Sequence, residues 1–234
     1  MSAADILDIL HPLSDAEIAK HSQRFFKTGP GEYGEGDIFL GIRVPVLRKQ
    51  IKALRQEALC DVLQLLQSPF HEARLLALLL LVDRFERGDA ELKQQVFTAY
   101  LAHTEHINNW DLVDASAHKI VGAYVQDKSR EVLYELAVSD SVWQRRIGII
   151  ATFWFIKDDD FKDALALALI LGHDHHDLIH KAVGWALREV GNRQRTVMED
   201  YLIQHYATMP RTMLRYAIEK LPQSRRQEYL KGKI

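Results

Sequence analysis

Five stretches of the sequence repeat one theme at a nearly constant interval. The segments Phe70 to Leu78, Val142 to Ile150, Ile179 to Leu187 and Arg211 to Ile218 each set a cation (Arg74, Arg146, Lys181 and Arg215) just before small and apolar residues, and the segment Asn109 to Ala117 has the same shape with a carboxylate, Asp114, in the cation's place. Successive members of the set 74, 114, 146, 181 and 215 are separated by 40, 32, 35 and 34 residues. That interval holds two helices and their turns, the unit of a helical-repeat protein. One such pair cannot bury its own apolar face, so each must be covered by its neighbours. Stacking places the second helix of every pair on the concave side. Arg74, Asp114, Arg146, Lys181 and Arg215 are therefore expected to line one groove at successive rungs.

The rest of the chain agrees with this frame. Apolar residues recur at three- and four-residue spacing, and no segment alternates with period two between turn residues, so the chain reads as all-α. The fold class expected is an α-solenoid of HEAT-like helical repeats, superhelical with a concave basic groove. It is read as one domain over residues 1–234, with N-terminal helices over about 2–41 and stacked repeats over about 43–231. A capping-box pattern at Ser14 to Glu17 predicts a helix running to Phe26. Pro45, Pro69 and Pro210 suit helix starts, while Gly88, Gly172 and Gly191 read as helix stops. Thr28 to Gly41 holds five of the 12 glycines and contains a G-x-G-x-x-G match. A helix precedes that match where a dinucleotide fold needs a strand, so it reads as a turn-rich loop.

Charge then limits the partners. Lys and Arg total 30 against 32 Asp and Glu, a net charge of -2 with a pI near 6.6, which argues against a uniformly basic surface. Any phosphate-binding surface must be local. The longest apolar run, the eight residues Leu75 to Val82, is far too short to span a bilayer, which needs about 20. Met1 to Asp5 lacks a basic stretch followed by an apolar one, so a cytoplasmic protein is expected. Cys60 is the only cysteine, which removes intramolecular disulfides, and its neighbours Leu59, Val62 and Leu63 suggest a buried small hydrophobe.

Trp110 and Asp114 are four residues apart and share a helix face. Trp185 lies four residues after Lys181 and Trp143 three before Arg146, so three of the 4 tryptophans accompany the groove residues. Aromatic faces attract cations and pack on sugar rings, and one carboxylate can stabilise positive charge developing in a dissociative transition state. An interrepeat ladder of charges that caps helices is the alternative reading of the same spacing. His173 to His180 contains a near match to a zinc-protease motif, with Asp177 for its Glu and no third ligand following; its acids read as helix N-terminal residues. Asp158 to Asp160 reads likewise as the acidic start of the next helix.

The segments Phe39 to Pro45, Trp110 to Asp114, Trp143 to Arg146, Lys181 to Arg188 and Arg211 to Arg215 resemble, in order and spacing, the DNA alkylation repair enzymes of the AlkD type. The resemblance runs from about residue 15 to 221. It implies a HEAT-like DNA glycosylase that excises cationic N3- and N7-alkylated purines from duplex DNA without flipping the base. Separately, the residue spacing calls for no metal or other cofactor, and a solenoid that reads the DNA backbone is expected to act as a monomer. The resemblance implies Asp114 as the catalytic aspartate that stabilises the oxocarbenium sugar and orients the attacking water. Trp110 and Trp185 would pack against the deoxyribose, and Arg146 would meet the backbone at the lesion. Lys181, Arg188, Arg215, Arg211, Arg74 and Arg43 would hold DNA along the concave surface. Asn109 departs from relatives with a second tryptophan there, which would thin the aromatic wall. The rival expectations are a non-catalytic repeat protein that reads nucleic-acid backbone shape and a protein-interaction scaffold.

Overall fold

A computed structural model describes residues 1–234. The chain is all-α, a helical-repeat fold with no β-strand; the sole strand-like pairing is an isolated bridge between Ile38 and Phe70. It divides into two compact units, Met1–Ser116 and Ala117–Ile234. No helix is long and apolar enough to cross a membrane.

The first unit is built on α5 (His71–Arg87), which is buried on nearly every side from His71 through Val82. That explains why its apolar run is continuous rather than a stripe: a helix covered all round needs no polar face. Packed on it are α3 (Val44–Leu54), α4 (Leu59–Leu66) and α6 (Ala90–Ala102), with α1 (Ala3–Leu10) against α4. Helix α2 (Ala16–Phe25) is capped by Asp15, whose carboxylate accepts from the Glu17 and Ile18 N–H groups at 2.9 and 3.0 Å. The cap expected at Ser14 is thus one residue later; the Ser14 hydroxyl instead donates to the His11 carbonyl at 2.6 Å. Pro45 lies in the first turn of α3 as expected. Cys60, expected in the core, is exposed on α4, because Val62, Leu65 and Leu66 take that helix's inward face.

Between α2 and α3, the glycine-rich stretch folds into consecutive turns. Two of its glycines are required by space. A Cβ on Gly34 would stand 2.4 Å from the Phe26 carbonyl oxygen, and one on Gly41, at φ +81°, would stand 1.9 Å from that of Asp15. The segment is thereby held against both ends of α2, Gly34 at its last turn and Gly41 at its first, which fixes where Asp37 and Phe39 project. The unit ends in α7 (Trp110–Ala117), followed by a π-helical turn over His118–Gly122.

In the second unit, α12 (Asp177–Arg193) is the central helix, packed by α9 (Val142–Ala151), α11 (Lys162–Ile170), α13 (Arg195–His205) and α14 (Arg211–Ala217). Helix α8 (Glu131–Ala137) pairs with α9, and α10 (Phe153–Ile156) and α15 (Gln223–Lys231) complete the unit. Gly191, expected to stop α12, lies inside it, where a Cβ would stand 2.7 Å from the Met198 methyl; the helix ends at Arg193. Every position of the sequence repeat falls on a helix: Arg74 on α5, Asp114 on α7, Arg146 on α9, Lys181 on α12 and Arg215 on α14.

Candidate active site

Helix α7 carries the odd carboxylate of the repeat. Trp110 opens the helix and Asp114 follows one turn later, both half-buried. Phe26, just past α2, stacks on the Trp110 ring with centroids 5.3 Å apart and planes 21° apart, while Phe25 meets the same ring edge-on at 5.9 Å. Phe26 in turn stacks on Phe39 at 5.1 Å, and Phe39 on His71 at 4.5 Å. Trp110 is therefore the outer leaf of an aromatic stack, and Phe25, 57% exposed, extends that wall into solvent. Sequence spacing missed both phenylalanines because they come from a helix outside the repeat. Their adjacency at the end of an amphipathic helix was the one available signal. Burial and, in smaller part, the charge of Asp114 raise the Tyr100 phenol, whose oxygen lies 2.9 Å from Ser116 Oγ.

Beneath the stack lies a closed set of charges. His71 is 2% exposed, with Nδ1 at 3.0 Å from Asp37 Oδ2 and Nε2 at 2.8 Å from Asp111 Oδ2. Asn109, fully buried, donates from Nδ2 to the same Asp37 oxygen at 3.1 Å and accepts the Trp110 N–H on Oδ1 at 2.9 Å. Arg74 binds the other Asp37 oxygen and donates to the Ser68 carbonyl at 2.9 Å. Burial opposes charge on His71, yet the two carboxylates outweigh it and lift its pKa to about 9. Asp37 is likewise desolvated, but His71, Arg74 and Asn109 together hold its carboxyl below the usual range. Glu72 accepts the N–H groups of Leu40, Gly41 and Ile42 at 2.8–3.1 Å, tying the glycine-rich segment to α5.

Two sequence expectations change here. Arg74, at 4% exposure, is committed to Asp37 and is not a phosphate-facing cation. Asn109 does not thin the aromatic wall, which is filled from α2; the amide instead anchors the start of α7. A cavity of about 600 Å³ in this unit is lined by Phe26, Phe39, His71, Asp111, Glu17 and Arg43, among others. Arg43, at the start of α3, is exposed.

In the second unit, Trp185 is half-buried on α12, edge-on to Phe153 at 4.7 Å, and its Nε1–H donates to Glu189 Oε1 at 2.8 Å, which fixes the ring. Arg146 is 5% exposed and donates from Nη1 to the Leu178 carbonyl at 2.7 Å, linking α9 to the first turn of α12. Lys181 pairs with Asp177 at 2.6 Å, and this partly exposed pair holds the Asp177 carboxyl below its ordinary range. An ion pair of that exposure is worth little. Arg188 pairs with Glu219, Arg211 donates to the Leu230 carbonyl at 3.1 Å, and Arg211 and Arg215 are exposed.

The histidine cluster has structural partners. His176 caps α12, its Nδ1 accepting the Leu178 N–H at 3.1 Å, and burial keeps its pKa below the ordinary value. His180 Nε2 lies 2.5 Å from the Asp174 carbonyl, and Arg145 binds the Asp174 carboxylate at 2.7 Å. No group of three or more His, Cys, Asp or Glu side chains is arranged to hold a metal ion. Asp159 and Asp160 pair with Arg193 and Arg130, each at 2.7 Å, and Asp163 in the first turn of α11 takes Arg130 and the Tyr134 hydroxyl at 2.6 Å.

The profile of one family, described as DNA alkylation repair enzyme, matches residues 6–221. Among solved structures, a protein described as a predicted DNA alkylation repair enzyme from Enterococcus faecalis superposes with a TM-score of 0.70, covering 90% of this chain and 97% of its own at 18% identity. No curated protein sequence matches the chain.

Proposed function

The chain belongs to the DNA alkylation repair enzyme family, and on that premise we propose that it is a monofunctional DNA glycosylase releasing cationic N3- and N7-alkylated purines from duplex DNA without flipping the base. The observation that carries this reading is the pairing on α7: Asp114 one turn after Trp110, with the Trp110 ring held flat against Phe26.

Alkylation places a positive charge on the purine, so the bond from N9 to the sugar C1′ breaks with its electron pair passing to the base, which leaves neutral. No general acid is needed. The sugar becomes oxocarbenium-like, and the Asp114 carboxylate stabilises that charge through space. Water adds to C1′ on the face where Asp114 can accept its proton, leaving an abasic site. A single carboxylate serves here, whereas hydrolysis of a neutral glycoside generally takes two. Trp110 packs on the deoxyribose of the lesion nucleotide, supported by Phe26 and extended by Phe25. Trp185 is assigned the same kind of contact and Arg146 the backbone at the lesion, both on the resemblance. Lys181, Arg188, Arg211, Arg215 and Arg43 hold phosphates.

The test is release of 7-methylguanine from methylated duplex DNA by pure protein. Asp114→Asn should keep DNA affinity and lower the rate of release by about 10²–10³, the usual cost of removing one electrostatic stabiliser. Equal release by the variant overturns the role of Asp114. Binding without any release by the wild-type protein overturns the enzymatic reading in favour of a shape-reading DNA-binding protein.

A further inference from the structure

We propose that His71 is a positioning residue for this reaction: as an imidazolium donating to both Asp37 and Asp111, it fixes the start of α7 and with it the Trp110 ring and the Asp114 carboxylate. The inference rests on the reading that α7 carries the reacting groups, and it extends that reading to a side chain that touches neither sugar nor base.

The geometry requires the protonated form. Neutral imidazole has one donor and one acceptor nitrogen. Both ring nitrogens of His71 meet carboxylate oxygens, at 3.0 and 2.8 Å, and a carboxylate only accepts. In either neutral tautomer one nitrogen lone pair would face an oxygen lone pair, inside a site 2% exposed. With His71 charged, Asp37, Asp111, Arg74 and His71 make a balanced set of two anions and two cations. With it neutral, one buried negative charge would be left over, which is costly.

What the network holds is the first turn of α7. Asp111 follows Trp110 directly and Asn109 precedes it, so both neighbours of the tryptophan are tied to α5 and the glycine-rich segment. The same imidazolium stacks on Phe39, which stacks on Phe26, which stacks on Trp110. His71 thus reaches α7 by two routes, one polar and one through rings. Since Asp114 lies one turn on along the same helix, a rotation at the start of α7 moves the carboxylate, and misplacement of about 1 Å is enough to cost about 10²-fold in rate. Around His71 the charged and titratable groups are Asp37 from the turn segment, Asp111 from α7, Arg74 and Glu72 from α5, and, lining the adjoining cavity, Glu17 and His21 from α2 and Arg43 at the start of α3.

The experiment compares wild-type protein, His71→Gln and Asp111→Asn in single-turnover release of 7-methylguanine at saturating enzyme, with DNA affinity and reaction amplitude measured on the same preparations. Glutamine can satisfy only one of the two carboxylates. Asp111→Asn keeps an oxygen for His71 and guards against a glutamine variant that does not fold. The expected result is a rate constant at least tenfold lower in His71→Gln and about threefold lower in Asp111→Asn, with affinity within twofold of wild type. A purely structural role would reduce amplitude by lowering the folded fraction and leave the rate constant unchanged. The wild-type rate should also fall as pH rises through about 9, an inflection absent from His71→Gln. Wild-type rate constants in both variants would overturn the role of His71 alone. No base release by the wild-type protein would overturn the functional reading beneath it.

Discussion

Protonation of His71 links folding to pH in a direction that can be calculated. The folded-state pKa is raised from 6.5 to about 9, so folding is favoured by the bound proton: the contribution is complete below pH 6.5 and is lost as pH climbs toward 9. The size is about 3 kcal/mol, because each tenfold gain in proton affinity on folding is worth about 1.36 kcal/mol. Urea denaturation at pH 6, 7, 8 and 9 should show stability falling by that order, with the slope flattened in His71→Gln. At the acid end Asp37 acts oppositely, its lowered pKa giving up stability as pH falls below the ordinary carboxylate range. Arg74 is coupled to the same charges. Its truncation to Ala should cost about 3–5 kcal/mol by the same denaturation, because Asp37 would keep a buried charge with one fewer partner. The repeat spacing placed Arg74 on a helix, as the structure has it. It gave no indication of which way the guanidinium turns, since the partner lies 37 residues away in a stretch with no periodicity.

Among the elements, the helices were legible and their company was not. Periodicity of 3.6 identifies a buried stripe, and it placed the helices bearing Trp110, Arg146, Lys181 and Arg215. It is silent on glycine-rich segments, whose structure depends on contacts remote in sequence. Residues 28–41 read as a connecting loop, yet they deliver Asp37 and Phe39 to the interior of the first unit. The same blindness hid the aromatic support of Trp110, because α2 lies outside the repeat, and misplaced Gly191, whose lack of a side chain serves packing against Met198 rather than a helix stop. Gly34 offers a test of how tightly the segment is held. Gly34→Ala would force a methyl to 2.4 Å from the Phe26 carbonyl, and should destabilise the protein by about 2 kcal/mol or more, in the range of steric insertion into a packed site. Its melting temperature read beside that of Gly31→Ala supplies the control: Gly31 has open space around its Cβ position, so its cost comes from backbone conformation alone.

For the molecule as a whole, the near-zero net charge is the sum of two unlike parts. Residues 117–234 carry 18 Lys and Arg against 15 Asp and Glu, and residues 1–116 carry 12 against 17. The cations proposed to hold phosphates, Arg43 excepted, all come from the basic part. Retention of DNA should therefore be electrostatic and moderate. Fluorescence anisotropy against salt is expected to give a slope of log affinity of about -4, and Lys181→Ala or Arg215→Ala should each reduce it by about one. A slope near zero would remove the phosphate contacts from the mechanism. Cys60 makes that measurement convenient. The only thiol in the sequence stands exposed on α4, a helix that contributes nothing to the aromatic stack, the His71 network or the proposed phosphate contacts. A single dye or spin label can be attached there to the unaltered protein, giving a reporter of association whose chemistry leaves all three as they are.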